Sequence, residues 1–212
     1  MKALIIGANG RVGTTLATVL SRQGHQVFAG ARSEKTELQD NGVEAVHFDL
    51  SDSVQQMADI FAEHRPDVIY FTAGSRGKNL LQVDAFGAVK AIQAAQSAGI
   101  KRFILLSSVF ALQPERWHEK FLAELTDYNI AKFFADTYLM NSGLDYTILQ
   151  PGALQETAGT GKIQTNVREP LANSIENVAN TLAALAHADN TIGKVITMAD
   201  GDEAISQAVA KI

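Results

Sequence analysis

The chain of 212 residues has no cysteine, which removes disulfide bonds, thiol catalysis and thiolate metal sites together. It also lacks any apolar stretch approaching the ~18 residues that a membrane-crossing helix needs. The opening run reaches Gly7 after the four apolar residues ALII, too short for a signal-peptide core. No long basic run is present and the net charge is −5, a balance that speaks against a nucleic-acid partner. The histidines His25, His47, His64, His118 and His187 show no paired ligand spacing, so no metal is expected. What is present is 46% hydrophobic against 19% charged residues, enough apolar surface for a packed core. These proportions predict one soluble domain over residues 1–212, working in the cytoplasm without a membrane partner.

Apolar runs of strand length alternate with helical patterns along the chain. Strands are expected at 2–6, 26–29, 44–48, 68–72, 103–107, 146–150 and 194–198, and helices at 12–23, 54–64, 80–98, 128–141 and 175–188. Continuous runs such as ALII, VIYF and FILL fit strands covered on both faces. The alternation predicts an α/β fold: a doubly wound parallel sheet of about seven strands flanked by helices, built from right-handed crossovers. Two stretches, 109–126 and 151–173, resist the pattern. Long irregular segments in a compact domain are commonly functional, so they are expected to border a substrate pocket as a small elaboration. Phe110, Trp117 and Phe121 read either as an apolar lid or as packing of that loop.

The first expected strand runs into Gly7-Ala8-Asn9-Gly10-Arg11-Val12-Gly13, and a helix follows. Gly7 suits a tight turn, Gly10 lets backbone approach a pyrophosphate, and Gly13 lets helix pack on strand. The helix N-terminus adds unpaired amides and partial positive charge. In this strand–turn–helix setting the glycines predict a dinucleotide site and the Rossmann fold. After the second strand the chain reads Phe28-Ala29-Gly30-Ala31-Arg32-Ser33, with no acid before Glu34. An acid there would bind ribose hydroxyls, whereas Arg32 can pair with a 2′-phosphate and Ser33 can add a hydrogen bond. Arg11 lies in the same turn. NADP is therefore the expected cofactor, the alternative being that both arginines are solvated surface groups. Asp49-Leu50 and Thr72-Ala73-Gly74 end the third and fourth strands, at the edge where such sheets bind ligands. Asp49 can accept from an adenine amino group or serve as a local cap. Neither Gly74-Ser75-Arg76-Gly77-Lys78 nor Gly159-Thr160-Gly161-Lys162 has the spacing of a nucleoside-triphosphate loop.

Tyr128 and Lys132 stand four apart, on one helix face. A nearby ammonium stabilises a phenolate and makes the hydroxyl a usable acid–base group. Ala131, Ala135 and Leu139 share their side, while Ile130, Phe133, Phe134 and Tyr138 form a second apolar stripe. Such a helix is expected to be covered on both sides, and a buried lysine to meet a polar partner, such as ribose hydroxyls. Ser107 and Ser108 end the fifth strand at the ligand edge, where either can hydrogen-bond a carbonyl. Asp84 borders the stripe Leu81, Ala85, Ala88, Ile92 and Ala95, as a solvent-facing outlier or as a polar anchor.

GANGRVG, Arg32, FILLSS, YNIAK and DYTILQPG together resemble the short-chain dehydrogenase/reductase superfamily, and more narrowly its atypical, NmrA-like branch. The resemblance runs essentially end to end. It implies Tyr128 as proton donor and acceptor, Lys132 as holder of the nicotinamide ribose, and Ser108 as the residue that orients a carbonyl. Asp84 stands where the family usually has Asn, and Pro151-Gly152 matches the segment beside the nicotinamide. The expected activity is NADP-dependent hydride transfer to a small carbonyl, quinone or similar acceptor. Nucleotide-sugar chemistry is disfavoured by the short C-terminal region. The alternative is a non-catalytic NADPH-binding sensor that changes its association with a protein partner. The second apolar stripe predicts a homodimer through the Tyr128 helix.

Overall fold

A computed structural model of the chain describes residues 1–33 and 36–212; Glu34, which enters the reading of cofactor choice, lies outside the described residues. The elements in chain order are β1 (Lys2–Ile6), α1 (Arg11–Arg22), β2 (Gln26–Ala31), α2 (Thr36–Gln39), β3 (Glu44–His47), α3 (Val54–His64) and β4 (Val68–Phe71). A π-helical turn (Leu80–Ala85) then leads into α4 (Phe86–Ser97). β5 (Arg102–Leu106), α5 (Thr126–Met140), β6 (Asp145–Pro151), β7 (Ala153–Gln155), β8 (Lys162–Thr165) and β9 (Ala172–Ser174) follow. The chain closes with α6 (Ile175–Leu185), β10 (Lys194–Asp200), β11 (Glu203–Ala204) and α7 (Ile205–Ala210).

Alternation along β1 explains the layering. Ala3 and Ile5 enter one core with Leu16 and Leu20 of α1 and Val178 and Leu182 of α6. Leu4 and Ile6 enter the other, with Met57 and Phe61 of α3, Ala88 and Ile92 of α4, and Leu139 of α5. Because Ala3, Leu4, Ile5 and Ile6 are each buried on one face or the other, the strand reads as an unbroken apolar run after Lys2.

The main sheet has the order β11-β8-β10-β6-β5-β4-β1-β2-β3. Seven of these strands are parallel and match the seven expected, while β8 runs antiparallel to β10 and β11. β1 pairs with β2 on one side and with β4 on the other. The chain therefore reverses its direction of travel across the sheet at β1, and a crevice opens at the carboxyl ends of β1 and β4. No helix among the described residues is long and apolar enough to cross a membrane.

The structure corrects three expectations. The stretch 151–173 holds the short strands β7, β8 and β9, with β7 and β9 paired in a separate two-stranded sheet. A Cβ on Gly152 would fall 1.8 Å from Leu171 O, so the close approach of these segments needs glycine there. Residues 80–98 are not one regular helix: the wide π turn rotates Leu81 off the expected stripe, leaving it 70% exposed. The apolar lid reduces to Phe121. Phe110 is buried in a small core with Val109 and Leu122, its carbonyl accepts a hydrogen bond from Trp117 Nε1 at 3.0 Å, and Trp117 packs edge-on against Phe133.

Candidate functional site

A cleft of about 1330 Å³ runs along the carboxyl ends of β1, β2, β4, β5 and β6. The expected residues Gly7, Asn9, Gly10, Arg11, Val12, Arg32, Ser33, Asp49, Leu50, Thr72, Ala73 and Gly74 line it at one end. Ser107, Ser108, Tyr128, Lys132, Pro151 and Gly152 line the other. Gly13 and Asp84 lie behind the wall, each for its own reason.

The glycine turn is organised by backbone contacts. Gly7 has φ +85 and its site for a Cβ is 2.6 Å from Ala73 backbone atoms, so a side chain there is excluded twice over. A Cβ at Gly13 would meet Gly7 O at 2.4 Å and Thr72 Oγ1 at 2.8 Å, which makes Gly13 a packing glycine. Gly10 differs. Its Cβ would meet Gly7 O alone, at 3.1 Å, and its φ of −72 is ordinary. A methyl at Gly10 would be tight against that one oxygen, a milder conflict than at Gly13.

Gly10 is also the N-cap of α1 and supplies no side-chain cap, and the first turn has no acidic residue. Arg11 at the first helical position works against the helix dipole. Its guanidinium makes one exposed contact, 3.5 Å from Glu156 Oε1. Uncapped amides and a basic side chain facing one cleft fit a phosphate-bearing ligand. Asn9 Nδ2 donates to Ser33 O at 2.7 Å and to Ser33 Oγ at 3.3 Å, tying this turn to the end of β2. Asp49 accepts from Ser51 N at 2.8 Å, and that backbone bond holds its carboxyl below the usual range. The cap of α3 is instead Ser53, in a reciprocal box with Gln56. Thr72 Oγ1 donates to Ile6 O at 3.0 Å, pinning β4 to the turn.

At the other end, the first buried turns of α5 carry the polar groups. Lys132 Nζ stands 3.7 Å from Asp84 Oδ1, with side chains 3% and 0% exposed. Asp84 is thus the polar anchor, presented by the π turn, and its Oδ2 accepts from Ser75 N at 3.0 Å. Lys132 Nζ lies 5.5 Å from the centroid of the Tyr128 ring. Burial alone would lower the Lys132 pKa; the fields of Tyr128, Asp84 and Asp136 outweigh it and raise the value, so the ammonium persists at neutral pH. An ammonium has three donors, and Asp84 is its one counter-ion within 4 Å among the described residues. The remaining capacity suits ribose hydroxyls in the cleft that Lys132 lines.

The two serines separate in role. Ser107 Oγ donates to Asp136 Oδ2 at 2.8 Å, so its hydrogen is used inside the protein. Ser108 is buried and lines the cleft with Tyr128. Asp136 and its second donor, Gln150 Nε2 at 2.8 Å, escaped the sequence reading. The signal was there: Asp136 continues the spacing of Tyr128 and Lys132, an acid on an apolar face. Its pKa is pushed up to about 7 by burial, against the lowering effects of Ser107, Gln150 and Lys132. Within the single chain the second apolar stripe stays partly open, with Ile130 36% and Phe134 55% exposed.

Comparison with known proteins agrees with this geometry. Residues 7–189 match the family described as NAD(P)H-binding. The chain is 39% identical, over the full length of both, to the uncharacterized sugar epimerase YhfK of Bacillus subtilis. Among solved structures, the oxidoreductase ylbE from Lactococcus lactis is 48% identical with a TM-score of 0.94, over 100% of this chain and 96% of that one. The anaerobillin reductase ChuY of Escherichia coli O157:H7 is 27% identical with a TM-score of 0.78, covering 95% and 98%. A cleft at the sheet reversal, a glycine turn that leaves room for an outside group and a match over most of the chain lead to one conclusion. The protein belongs to the NAD(P)H-binding family, on a Rossmann-like parallel sheet.

Proposed function

We propose that the protein is an NADP-dependent oxidoreductase acting on a small carbonyl, quinone or similar acceptor. The observation that carries the reading is the grouping of Tyr128, Ser108 and Lys132 on one cleft wall, with Lys132 held 3.7 Å from Asp84. Gly10, the amides of Arg11 and Val12, and the side chains of Arg32 and Ser33 would hold the phosphates. Lys132 would hold the nicotinamide ribose, with Pro151 and Gly152 beside the ring. When bound, the reduced nucleotide supplies the hydride.

The protein's part is position and proton delivery. Ser108 Oγ orients the acceptor oxygen by hydrogen bonding, and Tyr128 gives up its phenolic proton to that oxygen. Lys132, whose ammonium lies 5.5 Å from the centre of the Tyr128 ring, offsets the negative charge left on the phenol oxygen. Phe121 and Leu125 give this end of the cleft an apolar wall, suited to an aromatic or quinonoid acceptor.

The absence of an acid at Arg32 and Ser33 supports NADP over NAD. The exposed Phe134 and Ile130 on α5 support a homodimer with a second copy covering that face. The test is NADPH consumption with a panel of aldehydes and quinones, comparing wild type with Tyr128→Phe. Wild-type turnover falling at least ~100-fold in the variant supports the reading. Tight nucleotide binding with no turnover of any acceptor would favour a sensor. A nucleotide sugar is assayed separately for epimer formation, because one relative is described as a sugar epimerase and epimerisation consumes no net NADPH.

A further inference from the structure

We propose that Asp136 is a positioning residue of this cleft, a buried carboxyl that fixes the hydroxyl of Ser107 and sets the net charge around Lys132 by gaining or losing one proton at Oδ1. The inference goes beyond the reaction just described and rests only on the cleft's binding a pyridine nucleotide.

Tyr128, Lys132 and Asp136 follow one another at four-residue steps, so they line one face of α5. Asp136 is 0% exposed. Ser107 Oγ and Gln150 Nε2 both donate to its Oδ2, each at 2.8 Å, while Oδ1 is buried without a hydrogen-bond partner. Among the described residues no cation lies within 4 Å of it. A buried carboxylate without a counter-ion is costly. A proton on Oδ1 removes that cost and leaves both bonds to Oδ2 in place, and burial raises the pKa to about 7 accordingly.

The surroundings are few. From the end of β5 the carboxyl meets Ser107 and from β6 it meets Gln150, both neutral. From its own helix it feels Lys132, beyond which stand Asp84 and Tyr128. With Asp136 protonated, the Lys132 and Asp84 charges cancel. With Asp136 ionised, the group carries one net negative charge, which opposes an anionic nucleotide and a developing phenolate alike. The same proton therefore tunes nucleotide binding.

Ser107 gains a defined direction from this contact. Its hydrogen points to Asp136, so it offers the cleft lone pairs only, as an acceptor for a ribose hydroxyl or an amide. Ser108 is left as the donor.

The experiment is NADPH binding by calorimetry from about pH 5.5 to about pH 8.5 for wild type, Asp136→Asn and Ser107→Ala. Wild-type affinity is expected to fall about fivefold as the pH rises through the midpoint. Asp136→Asn, which mimics the protonated carboxyl, keeps its low-pH affinity, and the difference from wild type cancels titration of the nucleotide's own phosphate. Ser107→Ala keeps the step but moves it up by about one pH unit, because it loses a donor that favours the ionised form. A variant that binds more weakly by one constant factor at every pH, with the step intact, shows a merely structural Asp136 and overturns the proposal. Difference infrared spectroscopy of the ligand-free protein decides independently. A carboxylic-acid band that titrates in wild type and is missing from Asp136→Asn supports the assignment, and no titrating band overturns it. Failure of NADPH to bind at any pH would count against the nucleotide reading, with the infrared result still deciding Asp136.

Discussion

Lys132 Nζ lies 3.7 Å from Asp84 Oδ1, and the two side chains are among the most thoroughly buried charges in the protein. Two separate elements, α5 and the π turn before α4, are joined by this contact. Removing one partner leaves the other charge unpaired in the interior. Lys132→Met and Asp84→Asn are each expected to cost about 3–5 kcal/mol, and the double variant clearly less than their sum. Urea denaturation of the four proteins measures the coupling. Additive losses would show that the two charges are independent.

The glycines of the first turn divide by what lies against them. Gly13→Ala drives a methyl group to 2.4 Å from Gly7 O and is expected to lower stability by about 1–3 kcal/mol. Gly10→Ala meets that oxygen at 3.1 Å and nothing else, so its loss stays under about 1 kcal/mol, while NADPH affinity drops at least about tenfold. Thermal melts and calorimetry on the two variants check this. Equal damage to stability at both positions would contradict it.

Asp136 gives stability a pH dependence of unusual sign for an acid. Its folded pKa, about 7, lies above the unfolded value of about 4. Between those values the folded state holds a proton that the unfolded state has released, so stability falls as pH rises across the window and levels off above it. The slope is on the order of 1 kcal/mol per pH unit. Asp136→Asn should lose this component and be the more stable protein, relative to wild type, at pH 8 than at about pH 5. Chemical denaturation at the two pH values measures the difference; an unchanged difference would refute the assignment.

Much of this architecture is written in local patterns. The run ALII marks β1 because both its faces are buried, and Gly7, Gly10 and Gly13 mark the turn because each solves a steric problem within a few residues. Tyr128 and Lys132 were legible as a pair through helical spacing. Three features were not. Strands β8 and β11 have no apolar run, because antiparallel backbone pairing, of β8 with β10 and of β11 with β8, defines them. Leu81 follows the helical period and is still exposed, because a π turn inserts a residue that periodicity does not reveal. Asp136 stands in plain view beside Phe133 and Phe134, but its partners Ser107 and Gln150 come from β5 and β6, and only the sheet register brings them together.

The face of α5 opposite Lys132 carries the exposed Phe134 and Ile130. If a second copy covers them, Phe134→Glu breaks the dimer by burying a charge in an apolar contact. Light scattering at micromolar concentration should give twice the chain mass for wild type and the single mass for the variant. A wild-type mass equal to one chain would remove the dimer.

In the proposed function, the cleft over the glycine turn holds a doubly phosphorylated adenosine carrier whose extra phosphate meets Arg32. Calorimetric titration of wild type and Arg32→Ala with NADPH and with NADH tests it most directly. Wild type is expected to bind NADPH more tightly than NADH, and the variant to lose about tenfold for NADPH while NADH is nearly unaffected. Equal weakening for both nucleotides would contradict the role of Arg32, and no heat with either would contradict the site itself.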